Sequence, residues 1–149
     1  MDVTFRKITK DDFIECANVL VAAYSGEPWN NSWTIQEALL RVESTMSGSN
    51  SKGYIAESSG EIIAMCLGRI DYYYGGWKQY CVDEFNVLPT LQGKGVGSGL
   101  QDYISRLMKE DGVARLFLVT GGEMAAKFYV KNGYEKSDDG IMLTLDLLK

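Results

Sequence analysis

Histidine is absent from this 149-residue chain. That excludes Ser-His and Cys-His nucleophile systems, His-ligated zinc and a histidine general base. Cysteine is scarce and odd in number. Cys16, Cys66 and Cys81 lack metal-ligand spacing, so they read as buried thiols of a reducing compartment and no metal site is expected. Basic clusters are also missing. Fifteen Lys and Arg against twenty Asp and Glu leave a net charge of −5, which weighs against a nucleic-acid partner. The longest apolar run, Val19 to Tyr24, is far below the ~18 residues of a membrane span. Met1 to Lys7 holds no apolar stretch of a secretory signal, so the expected location is cytoplasmic, with no membrane partner. What is present is an ordinary globular composition, 46% apolar and 23% charged, enough for one domain spanning residues 1–149.

Hydrophobic periodicity outlines the fold. Val3, Phe5 and Ile8 predict a short strand, and Thr9 with Asp12 predicts a capped helix start. Phe13, Cys16, Ala17, Leu20 and Tyr24 follow at helical spacing. Thr34 with Glu37 opens a second helix, striped by Ile35, Leu39, Val42 and Met46. Tyr54–Glu57, Ile62–Tyr73 and roughly Lys78–Leu88 read as a meander of strands turned at Ser59-Gly60 and Gly75-Gly76. Val96, Leu100, Tyr103, Ile104, Leu107 and Met108 mark one face of the clearest amphipathic helix. Leu116–Val119 predicts a strand and Met124–Asn132 a helix closed by Gly133. Alternating Ile141, Leu143, Leu145 and Leu147 predict a last strand. Strand, two helices, meander, then strand-helix units mean a mixed α/β sheet.

Gln92-Gly93-Lys94-Gly95-Val96-Gly97-Ser98-Gly99 lies between a predicted strand and that amphipathic helix. Alternate glycines let the backbone approach a ligand closely, and the amides of a helix N-terminus favour an anion. The pattern suits a phosphate. It is not a dinucleotide fingerprint, which would need glycine at Ser98 or Leu100, nor a Walker loop, because Gly95 follows Lys94.

Val87-Leu88-Pro89 followed by Gln92 to Gly97 resembles the pyrophosphate loop of the GNAT N-acetyltransferases, whose pattern is Arg or Gln, two residues, Gly, one residue, Gly or Ala. Ala125-Ala126-Lys127-Phe128-Tyr129-Val130-Lys131-Asn132-Gly133-Tyr134 is similar to the family's Ala-x-x-Phe-Tyr-x-Lys-x-Gly-Phe signature, in register with the first match. One departure stands out: Gly122 occupies the place, seven residues before Tyr129, where the family often has Asn. Gly122 offers no side chain to a pantetheine arm.

The resemblance implies a mostly antiparallel sheet with two splayed central parallel strands, about four flanking helices, and acetyl-CoA inserted between those strands as cosubstrate. It implies attack of a primary amine on the thioester, with Glu84, five residues before Pro89, as proton acceptor. Asp83 is the reserve candidate and a substrate contact. Strand alternation would place the two carboxylates on opposite faces, and a strand-end charge or ion pair is the plainer reading of either. Tyr129 matches the residue that protonates the departing thiolate; plain packing against the sheet is its alternative. Main-chain groups of Phe85 and Val87 would pair with pantetheine, and the Val87 amide would polarise the thioester carbonyl. Gln92, Gly93, Lys94, Gly95, Val96, Gly97 and Ser98 would hold the pyrophosphate.

Trp29 and Trp33 would wall the acceptor site or simply cap the core. Tyr72, Tyr73, Tyr74 and Trp77 could join that wall or a homodimer contact. Glu27, Asp71, Asp83 and Glu84 suggest a small cationic acceptor, of aminoglycoside or polyamine type. The chain bears some likeness to aminoglycoside 6′-N-acetyltransferases, and a peptide N-terminus or lysine also fits as acceptor. Rival readings are a non-catalytic acyl-CoA-binding sensor and a nucleotide-phosphate binder.

Overall fold

The computed structural model describes residues 1–148. They fall into two compact units, Met1–Val119 and the residues from Thr120 onward. The first holds β1 (Thr4–Lys7), α1 (Phe13–Ser25), α2 (Ile35–Thr45), β2 (Ser51–Ser58), β3 (Glu61–Tyr72), β4 (Lys78–Val87), α3 (Val96–Glu110) and β5 (Arg115–Phe117). The strands form one sheet in the order β1-β2-β3-β4-β5. Every pair is antiparallel except β4 with β5, which run parallel over only Gln79–Cys81 against Arg115–Phe117.

Side-chain alternation divides the core between the two faces of this sheet. On one face Tyr54, Ala56, Cys66, Tyr80 and Val82 pack under Val96, Leu100, Ile104 and Met108 of α3. On the other, Ile55, Met65 and Leu67 meet Cys16, Ala17 and Leu20 of α1 and Ala38 and Val42 of α2. Leu20, Leu67 and Leu100 are fully enclosed, each contributing about 1.5–3 kcal/mol by leaving water. Of the stripe predicted for α2, Val42 is buried and Leu39 and Met46 pack against the same core, joined by Ala38, whereas Ile35 is 36% exposed. All three cysteines are free and buried. Burial pushes the Cys16 and Cys66 thiols up to about 12.

Local capping starts both early helices where the sequence predicts. The Thr9 amide donates to Asp12 Oδ2 at 2.7 Å, ahead of a single 3-10 turn that runs into α1. At α2 the Glu37 amide donates to Thr34 Oγ1 at 3.1 Å, and the Thr34 amide donates to Glu37 Oε1 at 2.8 Å.

The β3–β4 pairing contains the irregularity that matters most. Leu67 pairs with Glu84 but Gly68 pairs with Val82, so Asp83 is an extra residue with no partner on β3. Val82 and Phe85 pack on the α3 side. Asp83 and Glu84 therefore both turn toward α1 and α2, which overturns the expectation that alternation separates them. Gly68 makes the close approach possible, since a Cβ there would overlap the Cys81 carbonyl and the Tyr80 ring.

The second unit contains α4 (Glu123–Lys131), terminated at Gly133 with φ 97°. The Tyr134 amide donates to the Tyr129 carbonyl at 3.0 Å, closing the turn. No strand forms over the alternating C-terminal residues. Ile141, Leu143, Leu145 and Leu147 are 83–86% exposed and carry no regular structure. Alternation specifies a strand only when a neighbour completes its ladder, and among the described residues none does.

Candidate active site

Past the end of β4 the Leu88 amide donates to the Ile63 carbonyl at 2.9 Å. Antiparallel ladders alternate, so Leu88, Asn86 and Glu84 bond toward β3 while Phe85 and Val87 direct their main-chain groups to the opposite edge. That is the edge β5 covers only as far as Cys81. The pairing of the two parallel strands thus stops short of Phe85 and Val87. The Val87 carbonyl accepts a bond from Gln92 Nε2 at 3.2 Å.

The glycine segment follows directly. Gly93 and Gly95 have φ of 77° and 85°, a conformation that favours glycine, and Gly95 caps α3. Gly99 makes the first bond of the helix, from its amide to the Gly95 carbonyl at 2.9 Å. The amides of Val96, Gly97 and Ser98 have no acceptor in the preceding turn. A Cβ built on Gly93 or Gly95 would meet nothing within 4 Å, so the backbone is open where a ligand would lie. Lys94 is exposed on the same loop. Open backbone, positive helix end and a lysine suit a pyrophosphate, and these residues fit acetyl-CoA.

On the α1/α2 face the bulge brings two carboxylates together. Glu84 is 8% exposed. Its Oε1 accepts the Tyr24 hydroxyl at 2.6 Å, and its Oε2 accepts Arg41 Nε at 3.0 Å, with Arg41 Nη2 2.9 Å away in the same ion pair. Burial and the neighbouring carboxylate push the Tyr24 phenol up to about 12, so it stays protonated at neutral pH. Arg41 Nη2 also donates to the Asp83 carbonyl at 3.3 Å. The Asp83 carboxylate accepts Arg69 Nη1 at 2.6 Å, and Arg69 Nε reaches Asp71 at 3.0 Å. Three carboxylates thus share two guanidinium groups. Beside them opens a polar groove of about 340 Å³, lined by Arg41, Ser44, Thr45, Asn50, Arg69 and Asp83 among others.

Tyr24 also joins this charge network to the tryptophans. Its ring stacks on Trp33 at 6.0 Å and meets the edge of Trp29 at 5.6 Å. Trp29 is 39% exposed, while Trp33 is half-buried against the α1/α2 core. The other aromatic cluster lies elsewhere. Tyr72, Tyr73, Tyr74 and Trp77 occupy the β3–β4 hairpin tip, where β4 begins, whereas the glycine loop follows its far end.

Tyr24 and Arg41 hold Glu84, and sequence reasoning singled out neither. Tyr24 reads there only as the last position of an apolar stripe, and nothing in spacing marks an arginine of α2 as the partner of Glu84. Asn86 is 5% exposed and its Oδ1 has no partner. Tyr129 belongs to the second unit, half-buried on α4, with its ring 5.2 Å from Phe128 and 5.3 Å from Tyr134.

Solved structures share this fold. An integron cassette protein from the mobile metagenome of V. cholerae superposes with a TM-score of 0.81 at 14% identity, covering 98% of this chain and 93% of that one. The aminoglycoside acetyltransferase AAC(6′)-Iy, solved with the bisubstrate analog CoA-S-monomethyl-acetylneamine, gives 0.74 at 18% identity, covering 98% and 99%. Glucosamine-6-phosphate N-acetyltransferase from Arabidopsis thaliana gives 0.67 at 20% identity, covering 98% and 100%. No curated protein sequence matches significantly. The family model of the acetyltransferase (GNAT) family matches residues 12–134, spanning the carboxylate pair, the glycine loop and α4. The chain belongs to the GNAT family of acetyltransferases.

Proposed function

We propose that residues 1–149 act as one N-acetyltransferase domain that moves an acetyl group from acetyl-CoA to a primary amine of a small acceptor by direct attack. The observation that carries this reading is the layout of β4. One strand carries Phe85 and Val87 past the end of its parallel pairing, leads into an anion-binding helix start, and sets Glu84 on Tyr24, whose ring packs with Trp29 and Trp33. Acetyl-CoA supplies the activated acyl carbon when bound. Gln92, Gly93, Lys94, Gly95, Val96, Gly97 and Ser98 hold its pyrophosphate, and Phe85 and Val87 pair with its amide-rich arm. The Val87 amide is the donor for negative charge developing on the carbonyl oxygen.

A primary ammonium has a pKa of roughly 10.4, so freeing the amine near pH 7 costs about 4–5 kcal/mol. Glu84 is the group that takes up the proton, with Asp83 adding negative potential beside it. Tyr129 donates a proton to the leaving thiolate, which matches a phenol of pKa roughly 10 to a basic sulfur. Asp71, Asp83 and Glu84 outnumber their two arginine partners by one, which favours a cationic over an anionic acceptor. Aminoglycosides and polyamines are therefore the first amines to try, with peptide N-termini and lysine beside them.

Release of free thiol from acetyl-CoA across such an amine panel tests the proposal. Amine-dependent thiol release with a matching acetylated product supports it. Tight coenzyme A binding without turnover on any amine would instead mean an acyl-CoA sensor, and displacement of coenzyme A by ATP would mean a nucleotide binder.

A further inference from the structure

We propose that the Tyr24 hydroxyl is the proton relay between the acceptor amine and Glu84, an inference that rests on the acetyl-transfer reading above. Glu84 itself is closed to an amine. It is 8% exposed, and its two oxygens are taken by Tyr24 and by Arg41. Tyr24 is half-buried, with its ring against Trp29 and Trp33, the proposed acceptor wall. The single hydroxyl proton of Tyr24 points at Glu84, 2.6 Å away. With that proton committed to Glu84, the Tyr24 oxygen keeps acceptor capacity for an incoming N–H.

The proton bookkeeping closes. The acceptor arrives as an ammonium; losing one N–H proton frees the lone pair that bonds to the acyl carbon. The second N–H proton, lost on amide formation, balances the one the leaving thiol gains. The first N–H bond breaks while an O–H bond forms on Tyr24. The original Tyr24 O–H bond breaks while one forms on Glu84 Oε1. The nitrogen loses its charge, Glu84 loses its own, and Tyr24 ends as it began. Arg41 stays on Glu84 Oε2 throughout. No oxidant or reductant is involved.

The test uses the full chain and the best amine from the panel. Tyr24→Phe keeps the ring stacking and removes the relay. The expected result is a kcat lowered at least ~30-fold, within the usual range for lost proton transfer, with KM for acetyl-CoA within about twofold of the parent. Calorimetric affinity for the amine without acetyl-CoA should fall several-fold, because the accepting oxygen is gone. Combined with Glu84→Gln, the double variant should be no slower than the slower single variant, since both remove one path. A kcat within threefold of the parent, or losses that multiply, would overturn the relay. Should Tyr24→Phe fail to fold, the solvent-isotope proton inventory of the parent decides: curvature supports two protons in flight, and a straight line rejects the relay. A parent that acetylates no amine removes the proposed function and the relay with it.

Discussion

Asp83 and Glu84 are consecutive residues of β4, yet both carboxylates face α1 and α2, and Arg41 reaches both residues, donating to the Asp83 carbonyl at 3.3 Å and to Glu84 Oε2 at 3.0 Å. The bulge at Asp83 makes this possible. Two acidic side chains thus lie on one face, Glu84 held by Arg41 and Asp83 by Arg69, so they differ by partner and burial rather than by face.

Replacing each carboxylate separates those roles. Glu84→Gln should lower turnover at neutral pH by about 10²-fold, and the deficit should shrink as pH rises toward the amine's own pKa near ~10, where solvent supplies the neutral amine. Asp83→Asn should now cost a measurable few-fold, because its side chain lies on the Glu84 side and anchors Arg69. A pH–rate profile of both variants on one amine is the measurement. A silent Glu84→Gln would place the base elsewhere.

Gly95→Ala tests the loop. At φ 85° the new Cβ has open space but a strained backbone, costing about 1–2 kcal/mol of stability. It also intrudes where the pyrophosphate is proposed to lie, so acetyl-CoA affinity should drop at least tenfold. Thermal unfolding and titration calorimetry together separate the two effects. Unchanged affinity in the folded variant would remove this loop from the site.

Tyr129→Phe should reduce kcat by roughly 10²-fold and leave the Kd for acetyl-CoA nearly unchanged, the signature of a lost general acid. Steady-state kinetics beside a binding titration provide the comparison. Turnover within a few-fold of the parent would make Tyr129 a packing residue, with water delivering the proton.

Asp12 predicts an acid-sensitive stability contribution far from the chemistry. It is 8% exposed, and Arg6 donates to its two oxygens at 2.8 Å each. Those bonds lower its carboxyl from the ordinary 3.8 to about 2, with Thr9 assisting and burial opposing. The folded-state value is depressed, so the stabilisation is present above about pH 4 and is lost as pH falls toward 2. Denaturant unfolding of Asp12→Asn should show a deficit of about 2 kcal/mol at pH 7 that closes across this window.

Much of this protein is legible in one dimension. Capping pairs at Thr9–Asp12 and Thr34–Glu37 start helices because they satisfy amides within one turn. The α3 stripe, the β2–β4 meander and the glycine loop follow from spacing, since each depends on neighbours a few residues away. The absence of histidine excludes an imidazole base before any fold is known. What only the tertiary structure decided is which groups meet. The bulge at Asp83 arises where β4 fits against Gly68 of β3, so the face of its carboxylate is set by a residue fifteen positions earlier. Tyr24 and Arg41 reach Glu84 from two different helices, 60 and 43 residues distant in sequence. The alternating C-terminal residues make the converse point, for their pattern is strand-like but no ladder takes them up. Periodicity records how a segment would present its side chains, whereas partners and hydrogen-bond register come only from the packing of segments far apart in the chain.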